Sequence, residues 1–283
     1  MTDIKNTEVE SEHVQFTCTV KYLDTFIESV QSFRDEGKLI FTDEKVFTKV
    51  ADPANVGMCV SRIRGEALNK LEVNGTDKIE VGMMFEKVRD CISGVPGTSD
   101  IEVTYPVSST GNRLIRLDII DKDLQFEVST LEPSTVPDIP DVDPLSHRSQ
   151  VVVDGSEMKK TISHADKMVD QDDNGILFET YGETLQIAST DKTAGNFKKQ
   201  FHNHDPSVDE SLGEHKTHIS IAYLQDIKKV FGKGEQVVVH VKNEHPVRFD
   251  IDLDSNGDAK VVYVIAPRLD TQLIAKVLRF LTH

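Results

Sequence analysis

Between Leu131 and His147 the chain reads LEPSTVPDIPDVDPLSH, and Pro133, Pro137, Pro140 and Pro144 are four of its ten prolines. Proline fixes φ and cannot donate a backbone hydrogen bond, so this stretch is extended and lies outside any central strand. Its length approaches the limit for a structureless loop inside one compact domain. A stiff linker between two domains accounts for it. With 283 residues in all, each side of the linker has room for one domain of ordinary size.

The two sides share a layout. In the first, the strand-like Val14–Val20 leads into Lys21–Phe33, where Leu23, Phe26, Ile27, Val30 and Phe33 recur with helical period. In the second, Gln150–Val153 leads into a helix over Ser156–Met168, with Met158, Ile162 and Ala165 on one face and Ser156 as the expected cap. A second helix follows in each half, over Gly82–Ile92 and over Ser220–Phe231. The remaining periodic runs alternate as strands: 101–105, 114–120, 124–129, 176–181, 184–189, 236–241, 247–253 and 260–265. The pattern predicts an α+β protein built by duplication of one strand-rich unit with two helices.

Composition narrows the function. Acidic residues outnumber basic ones 48 to 32, a formal net charge of −16 that repels phosphate backbones and excludes DNA binding by a diffuse basic surface. Tryptophan is absent and aromatics are 6%, so stacking platforms for single strands are scarce. Cys18, Cys59 and Cys91 show no CxxC spacing, which argues against a disulfide framework. There is no run of 18 apolar residues and no basic-then-apolar leader, so a cytoplasmic protein is expected.

Motifs for common chemistries are missing: no GxGxxG, GxxxxGK[ST] or GxSxG occurs, no carboxylate pair stands out, and neither an enzyme nor a cofactor is expected. Asp170-x-Asp172-x-Asn174-Gly175 and Asp252-x-Asp254-x-Asn256-Gly257 imitate half of a calcium loop. Tyr181 and Tyr263 stand where the bidentate Glu belongs, so both read as Asn-Gly hairpins. His202, His204, His215 and His218 crowd a polar insertion, 201–218. Imidazoles are good zinc ligands, yet a solvated loop is the expected reading and no metal site is assigned.

Charge is unevenly placed. The four helical segments hold eight basic and seven acidic residues, against 24 and 41 in the remainder. Lys160, His164 and Lys167 share the polar face of the third helix beside Lys159. Lys228 and Lys229 mark the fourth, Lys87 and Arg89 the second, and Lys21 the first. Their polar faces are selectively relieved of negative charge.

Four segments carry a resemblance. Ala51-Asp52-Pro53-Ala54-Asn55-Val56, the proline-rich Leu131–His147, Asp154–Val169 and Val264–Asp270 (VIAPRLD) fall in the order seen in archaeal sliding clamps, and the chain resembles the proliferating-cell-nuclear-antigen family from about Val14 to Asp270. The resemblance implies the DNA-clamp fold, with domains at 14–130 and 148–270, a connecting loop at 131–147, and extensions at 1–13 and 271–283. It further implies a homotrimeric ring around double-stranded DNA. Such a ring serves as a processivity factor for DNA polymerase and other replication and repair enzymes, opened by a clamp loader in an archaeal or archaeal-virus setting. The basic helix residues would face DNA.

By the same resemblance, a partner-peptide pocket comprises Ala51, Asn55, Val56, Asp138, Ile139, Pro140, Pro246, Val264, Ile265, Ala266 and Pro267. Subunits would join by edge pairing of Leu124–Thr130, with Leu124, Phe126 and Val128, to Asn196–Phe201, with Phe197, Lys199 and Phe201. The tail TQLIAKVLRFLTH places Leu273, Val277 and Leu281 on one helical stripe that packs on its own domain or docks elsewhere. Two competing readings remain. One is a clamp-fold processivity protein that stays monomeric or dimeric. The other is a metal-dependent enzyme built on the histidines.

Overall fold

A computed structural model of the chain describes residues 12–109, 112–139, 149–169, 174–191, 195–202, 212–232 and 236–268. Pro140, His204, most of the N-terminal extension and the whole of the C-terminal one lie outside the described residues. Two compact units form. The first comprises Met1–Ala51, Cys59–Pro140 and Asp252–Val261; the second comprises Asp52–Met58, Asp141–Ile251 and Val262–His283. Each unit thus takes in a short segment from the other's stretch of sequence.

In the first unit β1 (His13–Thr19) runs into α1 (Val20–Gln31), whose first turn is capped by the Thr19 hydroxyl accepting from Tyr22 N at 3.4 Å. Then come β2 (Glu36–Phe41), β3 (Lys45–Ala51), β4 (Gly57–Arg64), β5 (Lys70–Asn74) and β6 (Ile79–Met84). The helix α2 (Phe85–Ile92) precedes β7 (Asp100–Ser109), β8 (Asn112–Ile119) and β9 (Leu124–Ser129). One sheet has the order β5-β1-β7-β8-β9; elsewhere β4, β3, β2 and β6 lie side by side. Phe16 of β1 and Phe41 of β2 meet with ring centroids 6.0 Å apart, both fully buried, and α1 adds Leu23, Phe26, Ile27 and Val30 to the core.

The second unit repeats the scheme. There β10 (Ser149–Asp154) runs into α3 (Gly155–Ala165), followed by β11 (Gly175–Gly182), β12 (Thr184–Asp191), β13 (Gly195–His202) and β14 (Leu212–Ser220). Next are α4 (Ile221–Phe231), β15 (Gln236–Val241), β16 (Val247–Asp252) and β17 (Ala259–Ile265). A four-stranded sheet has the order β13-β12-β11-β14, and β15 lies between β10 and β16. Phe249 holds the core, 5.7 Å from Phe178 of β11 and 5.3 Å from Phe231 of α4 by ring centroids. The fold is α+β, with two α-helices in each unit among the described residues.

Several local expectations are corrected. Gly82–Met84 end strand β6 and do not begin a helix, because they pair with Glu36–Lys38 of β2. Asp154, not Ser156, caps α3: its carboxylate accepts from Glu157 N at 2.8 Å and from the Ser156 hydroxyl at 2.6 Å. Asn174-Gly175 is no hairpin turn. A single 3₁₀ turn, Asp166–Met168, ends the α3 region, and Asn174 (φ 51°) turns the chain into β11. Asn256-Gly257 does lie in the connection between the neighbouring strands β16 and β17, but in a loop longer than a two-residue turn, closed by Asp254, whose carboxylate accepts from Asp258 N and Ala259 N, both at 3.0 Å. Leu212–Ser220 is strand β14 and not a solvated insertion, since Thr217 and Ile219 alternate into the core as it pairs with β11.

Candidate functional site

The basic helix residues divide by what they already touch. Lys21, Lys87, Lys159, His164, Lys167 and Lys229 are exposed. Lys160 is exposed too, 2.9 Å from Glu157 one turn earlier, and Lys228 is half-buried and bonded to Gln225. Arg89 is different. Its Nε donates to Asp24 at 2.9 Å and its Nη2 to Glu28 at 2.7 Å, both on α1. Burial works against the Arg89 charge, but those two bonds outweigh it and hold its pKa above the ordinary arginine range. The Arg89 guanidinium thus fastens α2 to α1.

The loop Asp52–Val56 is organised by one carboxylate. Asp52 is buried and accepts from Ala54 N at 3.0 Å, Val56 N at 2.7 Å and Gly57 N at 2.6 Å. The Tyr223 hydroxyl on α4 donates to Asp52 Oδ2 at 2.9 Å. Burial pushes the Asp52 carboxyl up, but the bonds from Gly57, Tyr223, Ala54 and Val56 prevail and keep it below the usual carboxylate range. Burial, reinforced by Asp52, pushes Tyr223 up to about 12. With the chain so pinned, Asn55 takes a left-handed φ of 56°, and Val56 O accepts from Ala266 N at 2.8 Å.

That bond brings the predicted pocket residues Asn55 and Val56 to the strand end Val264-Ile265-Ala266-Pro267. Pro246, half-buried, immediately precedes β16 in the same unit. Ala51, Asp138 and Ile139 belong to the first unit. There the connecting segment is anchored twice: Leu131 N donates to Gly82 O at 2.8 Å, and Asp138 pairs with Lys38. The Lys38 side chain is 10% exposed and also lies 3.2 Å from Glu80, whereas that of Asp138 is 90% exposed. Tyr223 and Lys38 escaped sequence reasoning. Tyr223 read as one more apolar-face residue of its helix, and nothing local distinguishes Lys38.

Strands β9 and β13 are each the last in their sheet. Leu124 is 39% exposed, Phe126 is half-buried and Val128 is buried. On β13, Phe197, Lys199 and Phe201 share the half-buried face while Asn196, Lys198 and Gln200 are exposed. The Lys199 ammonium lies 5.2 Å from the Phe201 ring centroid.

The described histidines of the cluster do not converge. His202 lies on β13, where its Nδ1 is 3.2 Å from Thr184 Oγ1, while His215 and His218 lie on β14 at the opposite edge of that sheet. Three strand spacings put those edges about 14 Å apart. His215 and His218, three residues apart on one strand, also face opposite ways. No group of three potential ligands forms among the described residues, which do not include His204.

No family model matches the chain. It is 25% identical over 260 residues to the DNA polymerase sliding clamp of Archaeoglobus fulgidus, covering 90% of this chain and 98% of that one. With the sliding clamp of Methanosarcina mazei it shares 26% over 245 residues, 87% and 94% of the two chains. Among solved structures, A. fulgidus PCNA bound to the C-terminal region of FEN-1 superposes with a TM-score of 0.76 at 22% identity, covering 91% of this chain and 99% of that one. PCNA from Thermococcus kodakaraensis also reaches 0.76, at 16% identity over 90% and 100% of the chains. Along nearly its full length the chain is thus similar to archaeal DNA polymerase sliding clamps, and it shares the fold of the solved clamp structures.

Proposed function

We propose that three copies of this chain close head to tail into a ring that encircles double-stranded DNA and tethers polymerase and other replication and repair enzymes to it. The reading rests chiefly on β9 and β13, two open sheet edges on different units of one chain. An open edge exposes unpaired backbone donors and acceptors, and joining unlike edges generates a closed ring when the rotation closes. Leu124 and Phe126 supply apolar contact on one side, Phe197 and Phe201 on the other, with Lys198 and Lys199 of β13 set against the acidic surroundings of β9.

Within the ring, Lys21, Lys87, Lys159, Lys160, His164, Lys167, Lys228 and Lys229 relieve repulsion at the phosphates. The acidic remainder discourages adhesion, so DNA is held by enclosure and slides freely. Residues 14–130 and 148–270 act as the two clamp domains, with 131–147 as the connecting loop. The loop pocket built on Asn55, Val56 and Val264–Pro267 receives a short partner peptide, with Ala51, Asp138, Ile139, Pro140 and Pro246 completing it. No described helix is long and apolar enough to cross a membrane, and the protein works in the cytoplasm, at the nucleoid or on viral DNA. No catalytic step or cofactor is assigned to it; a clamp loader opens the ring.

Native mass spectrometry combined with plasmid retention tests the reading. The expected result is a trimer that, once loaded, stays on circular plasmid and is lost when the plasmid is linearised. A stable monomer, or retention indifferent to linearisation, overturns it.

A further inference from the structure

Strands β3 and β4 bury Val46, Thr48, Val50, Cys59, Ser61 and Ile63 on one face. The other face carries Lys45, Phe47, Lys49, Val60, Arg62 and Arg64, four cations and no carboxylate on a chain of net charge −16. Lys45, Arg62 and Arg64 line a cleft of about 620 Å³ together with Asp43, Glu44, Gly65 and Glu66. Among the described residues no carboxylate lies within ion-pair distance of these three cations, and Arg62 Nε is buried without a hydrogen-bond partner. A buried guanidinium nitrogen without an acceptor is costly, so the face calls for an anionic occupant.

We propose that this sheet face docks an extended acidic segment of a partner protein, at a site separate from the loop pocket. A carboxylate on the neighbouring strand shows the same kind of pairing. Asp138, from the proline-stiffened connecting segment, pairs with Lys38, and Lys38 lies directly across from Lys49 in the β2–β3 register. In an extended ligand, carboxylates two residues apart are spaced about 7 Å, the spacing of Arg62 from Arg64 along β4.

Geometry favours a peptide over a single nucleic-acid strand. The Phe47 ring is covered by the Lys45 and Lys49 ammonium groups, 5.2 and 5.7 Å from its centroid, which blocks the face a base would stack on. Asp43, Glu44 and Glu66 in the lining repel a continuous phosphate chain, whereas a peptide can present a lysine or arginine to them.

Fluorescence anisotropy with a labelled peptide of about ten residues, alternating Glu and Thr, tests the proposal on the full-length protein. Binding is expected at low salt, falling about tenfold or more as salt rises into the range where the Debye length is only a few ångströms. Arg64→Glu, at an exposed position, weakens binding about tenfold, while Lys122→Glu, an equal change of charge elsewhere on the same unit, leaves it within about twofold. A Gln-for-Glu peptide does not bind. The proposal is overturned by absence of binding at low salt, by equal losses in the two variants, by equal binding of the Gln peptide, or by tighter binding of a thymidine oligonucleotide that Arg64→Glu abolishes.

Discussion

Arg89 Nη2 donates to Glu28 Oε1 at 2.7 Å, joining the second helix of the first unit to the first through a charge-assisted bond. The Glu28 side chain is 11% exposed, so the bond is shielded from screening. Arg89→Ala is expected to lower stability by about 1–2 kcal/mol, since bonds to charged groups exceed neutral ones and two carboxylates each lose a charge-assisted bond. Residence on circular plasmid should drop for Lys87→Glu but hold for Arg89→Lys. Chemical denaturation with a plasmid-release assay reads both effects; an unchanged midpoint in Arg89→Ala would refute the fastening role.

Asp52 and Tyr223 make a second such joint, with opposite pH signatures. The folded Asp52 carboxyl lies below its ordinary 3.8, so its contribution is present above that value and lost as pH falls through the lower folded pKa. Asp52→Asn should therefore be less stable than wild type near neutrality, with the gap closing in acid. The Tyr223 phenol is raised from 10.0 to about 12, so its contribution is intact below pH 10 and fades as pH rises toward 12. Tyr223→Phe should lose about 1 kcal/mol near neutrality and flatten that alkaline decline. Melting curves across pH decide, and a gap persisting at low pH would show that the Asn variant fails for another reason.

Lys38 and Asp138 latch the connecting segment to β2. Their mutual bond raises the Lys38 pKa and lowers that of Asp138. Asp138→Asn should leave the melting midpoint almost unmoved, because Lys38 keeps Glu80, yet speed amide exchange across 131–139. Unchanged exchange there would mean that the Leu131–Gly82 bond alone holds the segment.

The open edges predict assembly behaviour. Leu124→Asp on β9 and Phe201→Asp on β13 should each shift native mass toward monomer, because a charge on one edge opposes apolar side chains on the other. Both variants should retain wild-type circular dichroism. A trimer undiminished in both would place the subunit contact elsewhere.

How much of this was legible in the sequence follows from the range of each interaction. Helices α1, α3 and α4 are announced by apolar residues three and four positions apart, since packing of one helix face depends on local geometry. The boundary of α2 was not, because Gly82, Met83 and Met84 are apolar in either state and only pairing with β2 makes them strand. The Pro-rich segment marks its own position, as proline's constraint acts within one residue.

Local order alone determined the duplicated α+β plan, the four helices and the relief of negative charge on their polar faces. Tertiary structure decided which of those charges are committed: Arg89 meets Glu28 across 61 residues, and Tyr223 meets Asp52 across 171. It also sent His202 and His215 to opposite edges of one sheet and made β9 and β13 each the last strand of its sheet among the described residues. Strand order is set by contacts between segments distant in the chain, and no spacing along a single strand encodes which neighbour it will find.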